Sequence, residues 1–274
     1  AAQIQRHHRV LDLNAGSGLL TWEALRRAPE GGVVALARSA QDADALRQQA
    51  TRLPEIERPA VLQGELDALP ALLGAHYEPS SSASDTHDSS FIVHHSPHFD
   101  AILGRNALTR HSDKPAAARL LASLLAEHGR ISLAETVPAH TQRLYRLVDL
   151  TTLGDELAQQ VVEAEEAIYR QADDPLVNWD EESLRLAFEA AGLAVQVSVE
   201  RERSEVQVTP ALLARWFTPA GAGERPSYID RLRQRLDAKE CAQVEAAFRQ
   251  QLVNRAVPWE TTTAYGVAHA PQPA

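Results

Sequence analysis

Val10-Leu11-Asp12-Leu13-Asn14-Ala15-Gly16-Ser17-Gly18 is the stretch that decides the fold. Its apolar start reads as a short buried strand. The strand runs into a tight turn with two glycines, which permit positive φ and let a ligand come close to the backbone. Leu19 to Arg27 follows, with Leu20, Trp22, Ala24 and Leu25, and is stopped by Pro29 and Gly31-Gly32. That is a helix of good formers with a clear end. A helix starting on such a turn presents free backbone N–H groups to an anionic or polar ligand.

The same alternation continues outward. Val33–Ala37 reads as a second strand, Ser39 as the N-cap of a helix from Ala40 to about Thr51, and Pro59–Gly64 as a third strand. Strand, helix, strand, helix, strand is the pattern of a doubly wound α/β sheet. Residues 74–97 break the rhythm with a serine run and few apolar side chains, and read as a flexible loop insertion. Phe99–Gly104 resumes as a fourth strand. Pro115–Glu127 reads as a helix ended by His128-Gly129, and Arg130–Glu135 as a fifth strand. Helical stretches are expected over 139–151, 155–171 and 179–191, the last started near Asp180 and stopped by Gly192. Leu193–Val199 alternates as a half-buried strand. Residues 205–258 form a helical insertion before a last strand over Thr261–Ala268.

Composition bounds the function. The chain has 274 residues, 44% hydrophobic and 23% charged, which is ordinary for a globular protein. No apolar run approaches the roughly 20 residues of a membrane span, so no membrane association is expected. One cysteine, Cys241, forms no internal disulfide, and no signal peptide is visible. Both point to a cytoplasmic protein. Net charge is −10. The basic cluster Arg225, Arg231, Arg233 and Arg235 reads as a solvated helix face, so there is no strong nucleic-acid signal. The absence of methionine reads as one domain of a longer protein.

The nonamer resembles motif I of the class I S-adenosylmethionine-dependent methyltransferases: an apolar strand, an acidic residue, then a small-residue G-x-G turn. Gln63–Pro70 is similar to the family's third-strand motif at the adenine, Phe99–Leu103 to its fourth strand, and Arg130–Thr136 to its fifth. Ala190-Ala191-Gly192-Leu193 with the strand after it is similar to its last helix and sixth strand. The resemblance implies a Rossmann-like doubly wound sheet of the class I methyltransferase type with helical insertions, residues 1–274 forming a single methyltransferase-like domain. It implies S-adenosylmethionine as cofactor, held by Asp12, Asn14, Ala15, Gly16, Ser17, Gly18, Glu65, Leu66, Gly104 and Arg105. The methyl acceptor is unknown, a small molecule or protein being favoured, and no catalytic residue is assigned.

Departures from the family pattern matter as much. The acid that binds both ribose hydroxyls at the end of the second strand is replaced by Ala37, followed by Arg38, with Asp42 and Asp44 as candidate substitutes on the next helix. Alanine offers a ribose nothing, so weak cofactor binding is expected. Asn14 stands at the first motif glycine, as a residue that tolerates the left-handed region. A catalytically degenerate module is therefore the alternative. Ala211–Phe217 has the texture of methyltransferase-like domains fused behind a replication-associated AAA-type recombination ATPase, which implies a binding or regulatory role there. A nicotinamide site would want G-x-G-x-x-G, and Thr21 stands at its third glycine. His76, His87, His94, His95 and His98 with Asp85 and Asp88 read as loop composition rather than a metal site. Trp179, Trp216, Trp259, Tyr145 and Tyr169 read as packing residues, and the acids between 155 and 190 as a solvated face.

Overall fold

The computed structural model describes residues 2–77, 98–222 and 225–271. The elements in chain order are β1 Arg9–Asp12, α1 Leu19–Arg27, β2 Gly32–Ala37, α2 Ala40–Ala50, β3 Ala60–Gln63, α3 Leu69–Tyr77, β4 Phe99–Arg105, α4 Lys114–Ser123 and β5 Leu125–Thr136. Then come α5 Asp155–Ile168, α6 Glu181–Ala190, β6 Ala194–Gln207, α7 Pro210–Phe217, α8 Tyr228–Leu232, α9 Ala238–Leu252 and β7 Ala256–His269. The seven strands form one sheet in the order β3-β2-β1-β4-β5-β7-β6. β1 pairs in parallel with β2 and with β4, and β4 with β5. The doubly wound α/β expectation is met, with the order reversing between β1 and β4.

The chain divides into two compact units. The first holds residues 1–135, 181–198 and 264–274, and the second 136–180 and 199–263.

In the first unit the central strands β1, β2 and β4 are buried along almost their whole length, as parallel strands flanked by helices are. Val10, Val33, Ala101 and Leu103 pack with Ala24 and Ala28, and on the α2 side Ala15, Ala35 and Ala37 pack with Ala43 and Leu46. Three alanines on the strand side let α2 sit close. Ser39 caps α2 as expected, accepting from the Asp42 N–H at 3.0 Å.

The fifth strand starts earlier than its sequence suggests. Leu125–Gly129 is extended, where leucine-rich composition reads as the end of a helix. Pairing with β4 overrides local propensity, and the ladder absorbs the extra residues by a register irregularity between Phe99 and Ala101. Residues 139–151 hold three short 3-10 turns rather than a helix, the first beginning at Pro138. Residues 74–77 close α3, and the rest of the 74–97 insertion, with His87, His94 and His95, lies outside the described residues. Among the described residues no three metal-ligating side chains come together, and no helix is long and apolar enough to cross a membrane.

The second unit has its own core: Leu157, Val161, Leu213, Phe217, Leu232, Val244, Phe248 and their neighbours, including buried Cys241. Trp216 stacks on Trp259 with ring centres 6.3 Å apart. Two expectations fail here. Arg231 is not solvated: its side chain is 12% exposed, faces Asp174 at 3.6 Å and donates to Gln171 at 3.0 Å. Nor are all the acids on α5. Glu165 is buried and accepts from the backbone N–H groups of Leu144 and Tyr145 and from the Tyr228 hydroxyl at 2.8 Å. It thereby ties the turn over 144–147 to α5 and α8, and burial raises its pKa above the usual carboxylate value. A carboxyl with a raised folded pKa stabilises most below its unfolded pKa and loses that stabilisation as pH rises through the folded one. The stability of wild type relative to Glu165→Gln should therefore fall as pH is raised from 4.5 upward. Urea unfolding of both proteins at a series of pH values measures it, and a difference that grows with pH would contradict it.

Candidate functional site

The loop from Leu13 to Gly18 crosses the carboxyl ends of β1 and β4. Its course is set by backbone hydrogen bonds. Leu13 N–H donates to Leu103 at 2.9 Å and Ala15 N–H to Leu36 at 3.0 Å, which stitches the loop to the strands on either side of β1. Gly16 and Gly18 have φ of +47° and +84°, the left-handed region that glycine enters without cost. A Cβ on Gly18 would lie 2.7 Å from the Leu46 side chain and 2.4 Å from Trp22 Nε1, so that glycine is also demanded by packing. A Cβ on Gly16 would meet nothing closer than the Asn14 carbonyl oxygen at 3.8 Å. The loop therefore turns an open backbone face outward at Gly16.

Asn14 is not in the left-handed region expected of it. Its side-chain amide donates to the Arg105 carbonyl at 2.9 Å, which ties the loop to the end of β4. The left-handed residue is instead Asn106, with φ +49°. Gly104 packs closely, since a Cβ there would lie 2.8 Å from the Ala107 Cβ and 2.9 Å from the Leu133 side chain. Asp12 is fully buried beneath the loop, and its carboxylate accepts from Thr21 Oγ1 at 2.7 Å. Burial raises its pKa, against the Thr21 hydrogen bond that lowers it. Thr21, the residue that spoils a nicotinamide fingerprint, thus braces the acid that anchors the turn. Ala15 is buried and Ser17 is exposed.

Beside the loop lies a cavity of about 320 Å³. Leu13, Arg38, Glu65 and Leu66 line it with Asp67 and His111. Glu65 and Leu66, read from the sequence as adenosyl contacts, are therefore brought to the crevice. Arg38 Nε donates to Glu65 at 3.1 Å, so the arginine after Ala37 holds a carboxylate of the cavity wall. His111 Nε2 pairs with Asp67 at 2.7 Å. Ala37 is fully buried in the α2 packing and does not reach the cavity. Asp42 accepts from the Ser39 hydroxyl at 2.7 Å and Asp44 from Arg47 at 3.0 Å, and neither lines the cavity.

One residue here was not singled out from the sequence. Glu135 is fully buried at the end of β5, on the face that also buries Ile131 and Leu133. It accepts from the N–H groups of Ala107 at 2.8 Å and Leu108 at 3.1 Å and from Thr109 Oγ1 at 2.8 Å. It thus fixes the loop that leads from β4 past His111 to α4. Burial raises its pKa. The signal was present: an acid closes the alternating run Ile131-Ser132-Leu133-Ala134, as Asp12 closes β1. Lys114, mostly buried at the start of α4, has its pKa lowered to about 8 by the same cause, burial.

No protein-family model matches this sequence, and no curated protein matches it significantly. The structure is similar to many solved chains. One is a candidate methyltransferase, BH2331, from Bacillus halodurans C-125, with TM-score 0.52 and 12% identity, covering 99% of this chain and 96% of that one. Another is YcgJ from Bacillus subtilis, with TM-score 0.51 and 15% identity over 99% of this chain and 95% of that one. The fold is the Rossmann-like α/β fold of the methyltransferases. The mycolic acid cyclopropane synthase CmaA1, solved with S-adenosylhomocysteine, shares it at TM-score 0.50 and 13% identity, over 97% of this chain and 80% of that one.

Proposed function

We propose that the chain is an S-adenosylmethionine-dependent methyltransferase whose acceptor is a small molecule or a protein. The observation that carries the proposal is the outward-facing glycine loop at the reversal point of the sheet, beside a cavity lined by Leu13, Glu65 and Leu66. Ligands of open α/β sheets bind at such a point, beyond the carboxyl ends of the strands. The residues fit the cofactor in part. Backbone groups from Asn14 to Gly18 suit its amino and carboxylate ends, and Leu66 with Asp67 suits the base. Glu65 is a carboxylate on the cavity wall that could meet a ribose, and it is shared with Arg38. The bound cofactor would supply a methyl group already activated on a sulfonium. What the chain adds is positioning, and positioning alone can supply much of the acceleration of an in-line displacement. No proton-transfer residue is assigned.

A second reading, a binding module without catalysis, is favoured by one observation: Arg38, not a ribose acid, commands the cavity wall at the end of β2. The Ala211–Phe217 run that suggests an ATPase-fused domain forms α7, and its apolar texture is accounted for by packing of Leu213 and Phe217 into the core of the second unit.

Gly16→Val tests the site. The added Cβ makes only ordinary contact with the Asn14 carbonyl oxygen, and the left-handed backbone costs roughly 1–2 kcal/mol, which a folded domain tolerates. The variant should stay folded by circular dichroism and lose binding of S-adenosylhomocysteine. Binding that survives in the folded variant places the ligand elsewhere.

A further inference from the structure

The second unit contains a cavity that the methyl-transfer reading does not use. Its volume is about 510 Å³, within the usual range for a small-molecule site. Four arginines line it, Arg143, Arg146, Arg201 and Arg203, against one carboxylate, Glu260. The local excess of positive charge stands in a chain whose net charge is −10.

The sequence explains the arrangement. Alternate residues of a strand share a face. Arg201 and Arg203 are two apart on β6, and Glu260 and Thr262 two apart on the neighbouring β7, so one face of the ribbon carries both pairs. Arg143 and Arg146 enter from the turns that follow β5. The four are not equivalent. Arg143 is fixed: it donates to Glu166 at 3.1 Å and to the Thr141 carbonyl at 2.7 Å, and lies over the Tyr169 ring at 3.5 Å. Arg203 is held by Glu260 at 2.5 Å. The Arg146 side chain donates to the Tyr145 hydroxyl at 3.2 Å and feels Glu166 and Glu260 electrostatically, but makes no direct ion pair among the described residues. The Arg201 side chain has neither a hydrogen bond nor an ion pair among them.

We infer that this cavity binds a small phosphorylated compound, with the phosphate held between the Arg146 and Arg201 guanidinium groups. A guanidinium matches phosphate oxygens with paired donors. A phosphate monoester carries close to two negative charges at pH 7. The four arginines share two carboxylates, Glu166 and Glu260, so a dianion balances the two positive charges left over. The few apolar wall residues, Ala139, Leu147 and Pro258, leave room for a short polar remainder.

The inference does not rest on the methyl-transfer proposal, because its readout is binding without cofactor. Calorimetric titration of the full chain with glycerol 3-phosphate in low-salt buffer tests it. Arg146→Gln and Arg201→Gln should each weaken binding on the order of tenfold or more, as loss of a charge-assisted hydrogen bond does. Both positions are exposed, so the thermal midpoint should be unchanged. Arg215→Gln, an exposed arginine outside the cavity, should bind as wild type. Succinate, a dianion of another shape, should bind at least about tenfold more weakly. No binding at about 5 mM glycerol 3-phosphate would overturn the inference. So would equal binding by the Arg146→Gln/Arg201→Gln double variant, or succinate binding as tightly as the phosphate.

Discussion

Glu135→Ala should destabilise the protein by about 2–4 kcal/mol, measured by urea unfolding. The carboxylate serves three donors: two backbone N–H groups and the Thr109 hydroxyl. Alanine removes every acceptor at once and leaves a small cavity. A buried donor without a partner costs roughly 1–3 kcal/mol, and part of the total is offset because a buried carboxylate was itself expensive to desolvate. Glu135→Gln keeps one acceptor oxygen for the two N–H groups and should lose less than half as much. The loop from Asn106 to Ser112 should also exchange amide protons faster in the alanine variant. An alanine variant as stable as wild type, with the loop equally protected, would show that Glu135 does not hold it.

Ala37→Asp should cost about 2–4 kcal/mol and should not tighten cofactor binding. From sequence alone, this substitution restores the family's ribose acid. The structure reverses the expectation. Ala37 is fully buried and packs with Ala15, Ala35, Ala43 and Leu46, so a carboxylate there would enter an apolar cluster. The introduced acid would have to ionise in apolar packing, which raises its pKa, so the cost should be smaller at pH 5 than at pH 8. Thermal unfolding of wild type and variant at the two pH values reads the difference. A variant as stable as wild type that binds S-adenosylmethionine about tenfold more tightly would mean that the carboxylate reaches the crevice.

What the sequence made legible was set by short-range signals. The β1 strand, its glycine turn and α1 could be read because apolar run, turn residues and helix formers follow one another within twenty residues. Ser39 and the end of α6 at Gly192 are equally local, and both behave as local chemistry dictates. The failures come from contacts far apart in sequence. Leu125–Gly129 is a good helix tail until β4 pairs with it. Asn14 was read for its backbone tolerance, whereas its side chain works 91 residues away. Glu165 and Arg231 look like surface charge until Tyr228, Gln171 and Asp174 are brought to them. At the candidate site, Glu65 and Leu66 were legible as a motif, but the Arg38–Glu65 pair was not, because β2 and β3 must first pair in register to bring Glu65 to Arg38.

The central claim is that the crevice at the reversal point of the sheet binds S-adenosylmethionine, and weakly. Arg38 places positive charge near a cationic ligand and holds Glu65, a carboxylate on the cavity wall. The loss of one charge-assisted hydrogen bond is worth roughly 10- to 100-fold in affinity. Calorimetric titration of the wild-type chain with S-adenosylmethionine tests the claim directly. The account predicts a single site with a Kd between roughly 10 µM and 1 mM, or about −7 to −4 kcal/mol. No binding at ligand concentrations of several times about 1 mM would contradict it.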